Sequence, residues 1–597
     1  MPERIRVMLT TEGTYPFTRG GVSTWCDILV SKLEQLDFII YAVMMNPFVT
    51  QTYRLPPNAS LIRVPLWGTE EPCEHLASRA FSQVYLAKRA TTEKVVAAQF
   101  LPLFENLVTE VTSEEKDPVR FGSTCAGMYQ VFQEYDYRVC FKSLATWERF
   151  KRLIVAGTGP SKGLEPTLFD LTQSLGWLYR FLIILNTPLP PVDVSHSAAA
   201  AFCGIPAVLS RILHGTPYLL TEHGVYLREQ YLSKGRTALP PYLSKFLMNL
   251  VRSVVALNYH YADQVSPVCA YNSRWEARLG VPRDRIRVIY NGVDPAVFGP
   301  SPHSREGPPT ITGVMRIDPV KDIETLLRAA ALVQAQLPGV KFIIYGGVTV
   351  PEYFDRCLAL RTKLGLERTF IFAGHVENVP EAYHSGDIVV LSSISEGFPY
   401  SIVEAMMAGK AIVATDVGGV REALGPAGIV VPPQDPEQLA RAICYLLDNP
   451  LERASLGQDA RERALTYFTT ERFAALYLDC YQRLTALATG EEEPAEILRR
   501  LLARQALFTH RGVALALSGR WAAAIASFRL AISLDESTPA VPALHVHIAR
   551  AFVAAGRTSM ALLEMRKAAQ ARRVLQSRPP GRGIHPRPGP GNAGVLL

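Results

Sequence analysis

The stretch Ser395-Glu396-Gly397-Phe398-Pro399-Tyr400-Ser401-Ile402-Val403-Glu404 holds two carboxylates around a Gly-Phe-Pro turn. The apolar run Ile388–Leu391 before it predicts a buried strand. The run Ser401–Ala408 predicts a helix closed by Gly409. Glu396 then lies in the loop at a strand's carboxyl end, and Glu404 about two turns into the helix. Open α/β sheets bind ligands in that crevice, and a helix N-terminus there offers unpaired N–H groups to phosphate. Two carboxylates beside it can hold hydroxyls of a sugar and a ribose, an arrangement suited to a nucleotide-sugar.

Other residues fit the same chemistry. Arg316 and Lys321 follow the strand Thr310–Val314, where two cations can neutralise a diphosphate and the charge that grows as it leaves. Gly20-Gly21 follows the first strand and opens a helix. Glycine permits φ > 0 and close backbone approach, although a lone Gly-Gly pair is more often a plain turn. His223 and His196 each end a strand; a neutral imidazole there can hydrogen-bond a sugar hydroxyl, and a lone histidine is more often a packing residue. Asn291-Gly292-Val293-Asp294 is best read as a structural, hinge-side turn. Asp416 and Gly418-Gly419 are candidates for the rim of the nucleotide pocket. No Asp-x-Asp triplet occurs.

The elements that must position these residues alternate. Strand Ile5–Leu9, helix Val22–Leu36 and strand Phe38–Met44 open a βαβ series. A mostly helical insertion is expected at about 65–190. Strands resume at Val192–Ser195, Pro217–Thr221, Gln264–Pro267 and Ile286–Ile289, with a helix from about Ala270. Gly299–Pro309 reads as a linker. A second series follows, with strands Thr310–Val314, Lys341–Tyr345, Thr369–Phe372, Ile388–Leu391 and Ala411–Ala414. Past the linker Thr489–Pro494, Gly519, Ala524 and Ala531 recur 37 residues later as Gly556, Ala561 and Ala568. That pattern resembles tetratricopeptide hairpins, whose period is about 34; a plain helical extension is the alternative. The expected parts are 1–298, 310–488, hairpins at 495–575 and a disordered tail at 576–597.

A chain of 597 residues is too long for one core. A net charge of +7 is small for that length and points to no nucleic-acid partner. The nine cysteines show no CxxC or Cys/His metal spacing, which favours reduced thiols in a cytosolic protein. No secretory signal is expected. Apolar stretches such as Leu178–Leu185 and Phe246–Leu257 are read as too short to span a membrane. The predicted location is cytoplasmic, with attachment to the inner membrane through a partner left open.

Six segments in order resemble retaining glycosyltransferases of the GT-B fold, family 4, and more closely the PelF-like branch of Pel exopolysaccharide synthesis. They are Glu12–Pro16 leading to Gly20–Ser23, Thr221–Gly224, Val288–Asp294, Arg316–Asp322, the double-glutamate segment, and Ala414–Gly419. The resemblance implies two Rossmann-like open-sheet domains facing a cleft. Transfer is from a UDP-sugar, UDP-glucose in that branch, to a polysaccharide acceptor, with no metal or other cofactor. It assigns His223, Arg316, Lys321 and Glu396 to the reaction centre. Gly20, Gly21, Arg316, Lys321, Glu396, Phe398, Pro399, Tyr400, Ser401 and Glu404 would hold the nucleotide-sugar. Glu396 would face the sugar, Glu404 the ribose, and the amides of Phe398–Ser401 the phosphate. Met315 departs from the family's usual glycine before the arginine. A partner role for the hairpins with a membrane-bound exopolysaccharide synthase is a further expectation. The competing classes are a UDP-sugar epimerase of the same architecture and a non-enzymatic sugar-nucleotide-binding scaffold.

Overall fold

Short apolar runs separated by amphipathic ones produce two parallel sheets. The first contains β1 (Arg6–Glu12), β2 (Asp37–Met44), β3 (Ala59–Pro65), β4 (Val194–Ser197), β5 (Tyr218–Glu222) and β6 (Gln264–Pro267), in the order β3-β2-β1-β4-β5-β6. The second contains β7 (Thr310–Val314), β8 (Lys341–Tyr345), β9 (Phe370–Gly374), β10 (Ile388–Leu391), β11 (Ala411–Thr415) and β12 (Ile429–Val431), in the order β12-β11-β10-β7-β8-β9. Each order reverses once, between β1 and β4 and between β7 and β10, and each reversal opens a crevice at the strands' carboxyl ends. Strands β4, β5, β6, β10 and β11 are buried at every position, as expected where helices cover both faces. The computed structural model describes residues 4–67, 80–157, 165–234, 239–301, 307–489, 494–534 and 538–576. The expected disordered tail lies outside these, apart from Gln576, and so does part of the first linker.

Three readings of the sequence need correction. Ile286–Ile289 forms no strand. It runs extended beside β6 with one bridge, Val265 to Ile286, and Pro267 has no N–H with which to return a bond and extend the ladder. Strands β3 and β12 were not expected. Both are sheet edges, one with mixed burial and one only three residues long, so neither carries a strong pattern. The segment Leu168–Asn186 is, by length and composition, apolar enough to cross a membrane, contrary to the expectation that no stretch was. Its Leu171, Leu178, Leu182 and Leu185 lie in the core of the helical insertion beside Phe100, Phe132 and Phe141, the place of a core helix.

The chain divides into two compact units, Met1–Ala464 with Phe468–Ala488, and Leu465–Tyr467 with Thr489–Leu597. In the first, the helix Thr470–Thr489 crosses from the second sheet domain into the first domain's core. Phe473, Tyr477 and Tyr481 pack there with Trp25 and Leu29. In the second unit, helices Pro494–Leu517, Trp521–Leu534, Val541–Ala554 and Thr558–Gln576 form two hairpins. The 37-residue repeat has a physical basis. Gly519 (φ 74°) and Gly556 (φ 76°) each follow the first helix of a pair in the left-handed region. Ala524, Ala531, Ala561 and Ala568 are the buried small residues of the second helices.

Between the hairpins lies a buried charge cluster. Glu564 Oε1 accepts from Arg529 Nη2 at 3.1 Å and Lys567 Nζ at 2.9 Å, and Oε2 lies 2.7 Å from His545 Nδ1. Burial alone would raise this carboxyl's pKa; the His545 hydrogen bond and the Arg529 and Lys567 charges outweigh it and hold the group well below the carboxylate range. Its stabilisation is therefore present at neutral pH and lost on acidification. Glu564→Gln leaves Arg529 uncompensated. It should cost the hairpin unit about 3 kcal/mol, read as an earlier thermal transition in far-UV circular dichroism of the full chain.

Candidate functional site

The second sheet's crevice gathers most of the predicted residues. Lys321 ends a short 3₁₀ turn, Pro319–Lys321, capped by Asp318, whose side chain accepts from Val320 N. Its Nζ lies 2.6 Å from Glu396 Oε1, with both side chains largely buried. The same oxygen accepts from Ser393 Oγ at 2.6 Å, and Ser392 Oγ donates to the Lys321 carbonyl at 2.7 Å. Two serines at the end of β10 thus fix both members of the ion pair. Sequence patterning did not find these serines, because a Ser-Ser pair after a strand has no chemical signature of its own.

Arg316 is not part of that pair. It is exposed, with no hydrogen bond or ion pair among the described residues. Its backbone path is nevertheless held on both sides. Met315 N donates to Tyr345 O and Ile317 N to Gly347 O. At Gly346 (φ 152°) a Cβ would sit 1.9 Å from Met315 O, so glycine here lets the β8 loop pass against the loop carrying Arg316. Met315 itself is buried.

The helix Tyr400–Met407 starts after Pro399, which provides no side-chain cap; Ile402 N donates to Pro399 O at 3.2 Å, and the amides before it have no side-chain acceptor. Phe398 is buried, and Gly409 (φ 70°) ends the helix as expected. Glu404 is half-buried, and burial lifts its carboxyl to about 7 even though Tyr383 OH donates to Oε2 at 2.6 Å. Gly418 (φ 57°) and Gly419 brace the glutamate loop: a Cβ on Gly418 would meet Glu396 O at 1.9 Å, and Gly419 N donates to Gly397 O. Asp416 is paired with Arg421 on the surface, with Nη2 to Oδ2 at 2.6 Å.

The first domain brings its own strand ends to this loop. The His223 carbonyl follows β5 and lies where a Cβ on Gly397 would approach to 2.0 Å. The His223 ring packs edge-on to Trp25 at 4.8 Å, and burial lowers its pKa to about 3, so it is neutral. Nε2 is buried without a hydrogen-bond partner among the described residues. Gly21 faces the Tyr400 ring, with a Cβ there 3.6 Å from Cδ2, and Gly20 borders open space. Gly20 is extended (φ 164°) and neither glycine is left-handed, so space rather than positive φ is what they provide. His196 differs from His223: Nδ1 lies 2.6 Å from Tyr481 OH and Nε2 2.8 Å from Thr221 Oγ1, which leaves no ring nitrogen for a ligand.

Three ties between the sheet domains escaped the sequence reading. Arg228 Nη1 donates to Ser395 Oγ at 2.9 Å, beside Glu396. Asn291 Nδ2 donates to Phe398 O at 2.9 Å. Glu422 of the second domain caps the first domain's helix Ala270–Arg278. Its Oε1 accepts from Ala270 N (2.8 Å) and Tyr290 OH (2.7 Å), and its Oε2 from Tyr271 N (3.1 Å). The Asn291 turn is structural as read, since a Cβ on Gly292 would meet Phe473 Cβ at 2.7 Å.

The chain resembles known proteins in its two halves. Residues 300–463 match the family described as Glycosyl transferases group 1, and residues 5–284 match one described as Domain of unknown function (DUF3492). The D-inositol 3-phosphate glycosyltransferase of Acidothermus cellulolyticus is 32% identical over 234 residues, which is 35% of this chain and 51% of that protein. The trehalose synthase of Pyrococcus horikoshii is 29% identical over 188 residues, 30% of this chain and 44% of its own. The chain thus spans about half the length of the curated relatives it matches. Among solved structures, the sucrose-phosphate synthase (tll1590) of Thermosynechococcus elongatus aligns over 81% of this chain and 100% of its own, with a TM-score of 0.52 at 19% identity. Anabaena Alr3699/HepE in complex with UDP and glucose aligns over 80% of this chain and 100% of its own, with a TM-score of 0.50 at 16% identity. The two sheets form a GT-B fold.

The contact between the His223 carbonyl and Gly397 generates a direct test. Gly397→Ala wedges the two loops apart and should destabilise the sheet unit by about 1–3 kcal/mol, measured as a lowered melting temperature. Gly20→Ala, in open space, should leave melting unchanged.

Proposed function

We propose that this protein is a retaining glycosyltransferase that moves a sugar, glucose from UDP-glucose, to a polysaccharide acceptor in exopolysaccharide assembly, as a member of the PelF-like branch. The observation that carries the reading is the buried Lys321–Glu396 pair at the β7/β10 reversal, in the loop whose Gly397 abuts the His223 carbonyl of the first domain. The group 1 glycosyl transferase match over the second domain supports it, and so does the fold neighbour Alr3699/HepE, whose structure holds UDP and glucose. The PelF-like assignment, the glucose donor and the acceptor class rest on the sequence resemblance.

In this reading Glu404 accepts hydrogen bonds from the donor ribose. The diphosphate meets Lys321, Arg316 and the uncapped amides before Ile402. Exposed Arg316 is free to swing onto it. Lys321 is held by Glu396 until the phosphate arrives and then serves both groups, while Glu396 takes the sugar hydroxyls. Neutral His223 offers Nε2 to a sugar hydroxyl. The acceptor enters from the first domain and attacks the anomeric carbon on the face that UDP leaves. The carbon–phosphate-oxygen bond breaks as the new glycosidic bond forms, and the acceptor's proton passes to the departing phosphate. Positive charge from side chains and a helix terminus does the work a metal would do elsewhere, so the reaction needs none. The protein acts in the cytoplasm, with the hairpins, TPR-like in their spacing, recruiting a membrane-bound synthase.

Lys321→Ala and Glu396→Ala should each lower transfer of radiolabelled glucose from UDP-glucose to host membranes by at least ~10²-fold while melting shows a folded chain. Near-normal turnover overturns the assignment, as does conversion of the UDP-sugar without any acceptor. UDP affinity should rise between about pH 6 and pH 8, because Glu404, at about 7, accepts hydroxyl hydrogen bonds best as the carboxylate. Isothermal titration across that range reads the effect.

A further inference from the structure

We propose that Tyr383 is a positioning residue for ribose recognition: its hydroxyl pins one oxygen of Glu404 so that the other is presented to the nucleotide. This inference deepens the reading above and rests on it. Tyr383 is fully buried, on the short helix Val379–His384 just before β10. Its OH donates to Glu404 Oε2 at 2.6 Å, while Oε1 has no partner among the described residues. The tyrosine is itself held. Its ring packs edge-on to Phe298 at 6.2 Å, and the neighbouring His384 Nε2 lies 2.8 Å from Gly299 O. A carboxylate with one anchored and one free oxygen, on a helix wall of the crevice, is preorganised for a single ligand hydroxyl.

The electrostatics point the same way. Titratable groups facing Glu404 are Tyr383, from the helix packed against it, and Tyr400, on its own helix, whose buried hydroxyl has no partner among the described residues. Burial raises the Glu404 carboxyl, and the Tyr383 hydrogen bond opposes that rise. Without the phenol, the group stays protonated to higher pH and can turn away. A tyrosine that merely filled the core would affect stability and leave ligand discrimination untouched.

The test is titration of the full chain with UDP and with 2′-deoxy-UDP from about pH 6 to pH 9. Wild type should prefer UDP, with the preference appearing through about pH 7. Tyr383→Phe should cut the UDP to 2′-deoxy-UDP affinity ratio about tenfold near pH 7.5 and move the onset up by about one pH unit. Glu404→Gln should show no pH-dependent preference, alone or combined with Tyr383→Phe. The ratio is read on folded protein, so a lower melting temperature does not mimic the effect. A Tyr383→Phe chain with the wild-type ratio and onset overturns the role of the tyrosine and leaves the nucleotide site standing. A wild type that binds neither nucleotide overturns the functional reading beneath it.

Discussion

A lysine and a glutamate held 2.6 Å apart and mostly out of water are the constraint around which the crevice is organised. Neither charge is tolerable there alone, since an unpaired buried ion costs several kcal/mol. The loops that carry them must therefore arrive together, which explains the company they keep. Ser392 and Ser393 tie the two loops to the end of β10, and Asp318 caps the turn that delivers the lysine. Gly418 gives the glutamate loop room to lie flat. A pair of this kind is also poised for an anionic ligand, because a phosphate that replaces part of the carboxylate's hold finds the cation already desolvated and aimed.

The two sheets share one topology, and the site sits where both reverse. The contacts between them are made by main chain as much as by side chains. The His223 carbonyl meets Gly397, the Asn291 amide reaches Phe398 O, and Gly21 meets the Tyr400 ring. At Gly397 the approach is too close for an added carbon, since a Cβ there would sit 2.0 Å from the His223 carbonyl oxygen, so this glycine is there for space. Gly20 and Gly21 differ from it: their conformations are ordinary, a Cβ on Gly20 would meet open space, and one on Gly21 would make an ordinary contact with the Tyr400 ring.

Much of the fold was legible because buried parallel strands are continuous apolar runs. Gln264–Pro267, Thr310–Val314, Lys341–Tyr345 and Ile388–Leu391 match their observed bounds. The edge strands β3 and β12 were not legible, since β3 alternates weakly and β12 is too short to show a period, whereas the edges β6 and β9 were. Ile286–Ile289 looks like a strand, but a proline on its neighbour leaves it a single bridge to β6. At the site, charged residues beside strand ends and glycines were visible as motifs, which is how Glu396 and Lys321 were found together. Tyr383, Arg228 and Glu422 were not, because each acts on another element: Arg228 and Glu422 reach across the two sheet domains, and Tyr383 reaches from the helix before β10 to the one after it. Only folding makes a buried tyrosine a partner of Glu404, and a surface-like Glu422 a cap on a helix of the other domain.

That cap has a bearing on how chains of this two-lobed build can be recombined. The helix Ala270–Arg278 belongs to one lobe, yet the acid that satisfies its first amides comes from the other. A chimaera joining this first lobe to a foreign second lobe would inherit a helix with bare amide hydrogens unless the donor supplied an acid at the matching place. The lobes are therefore interchangeable modules only when that single side chain travels with the graft, and any natural shuffling of halves would have met the same restriction.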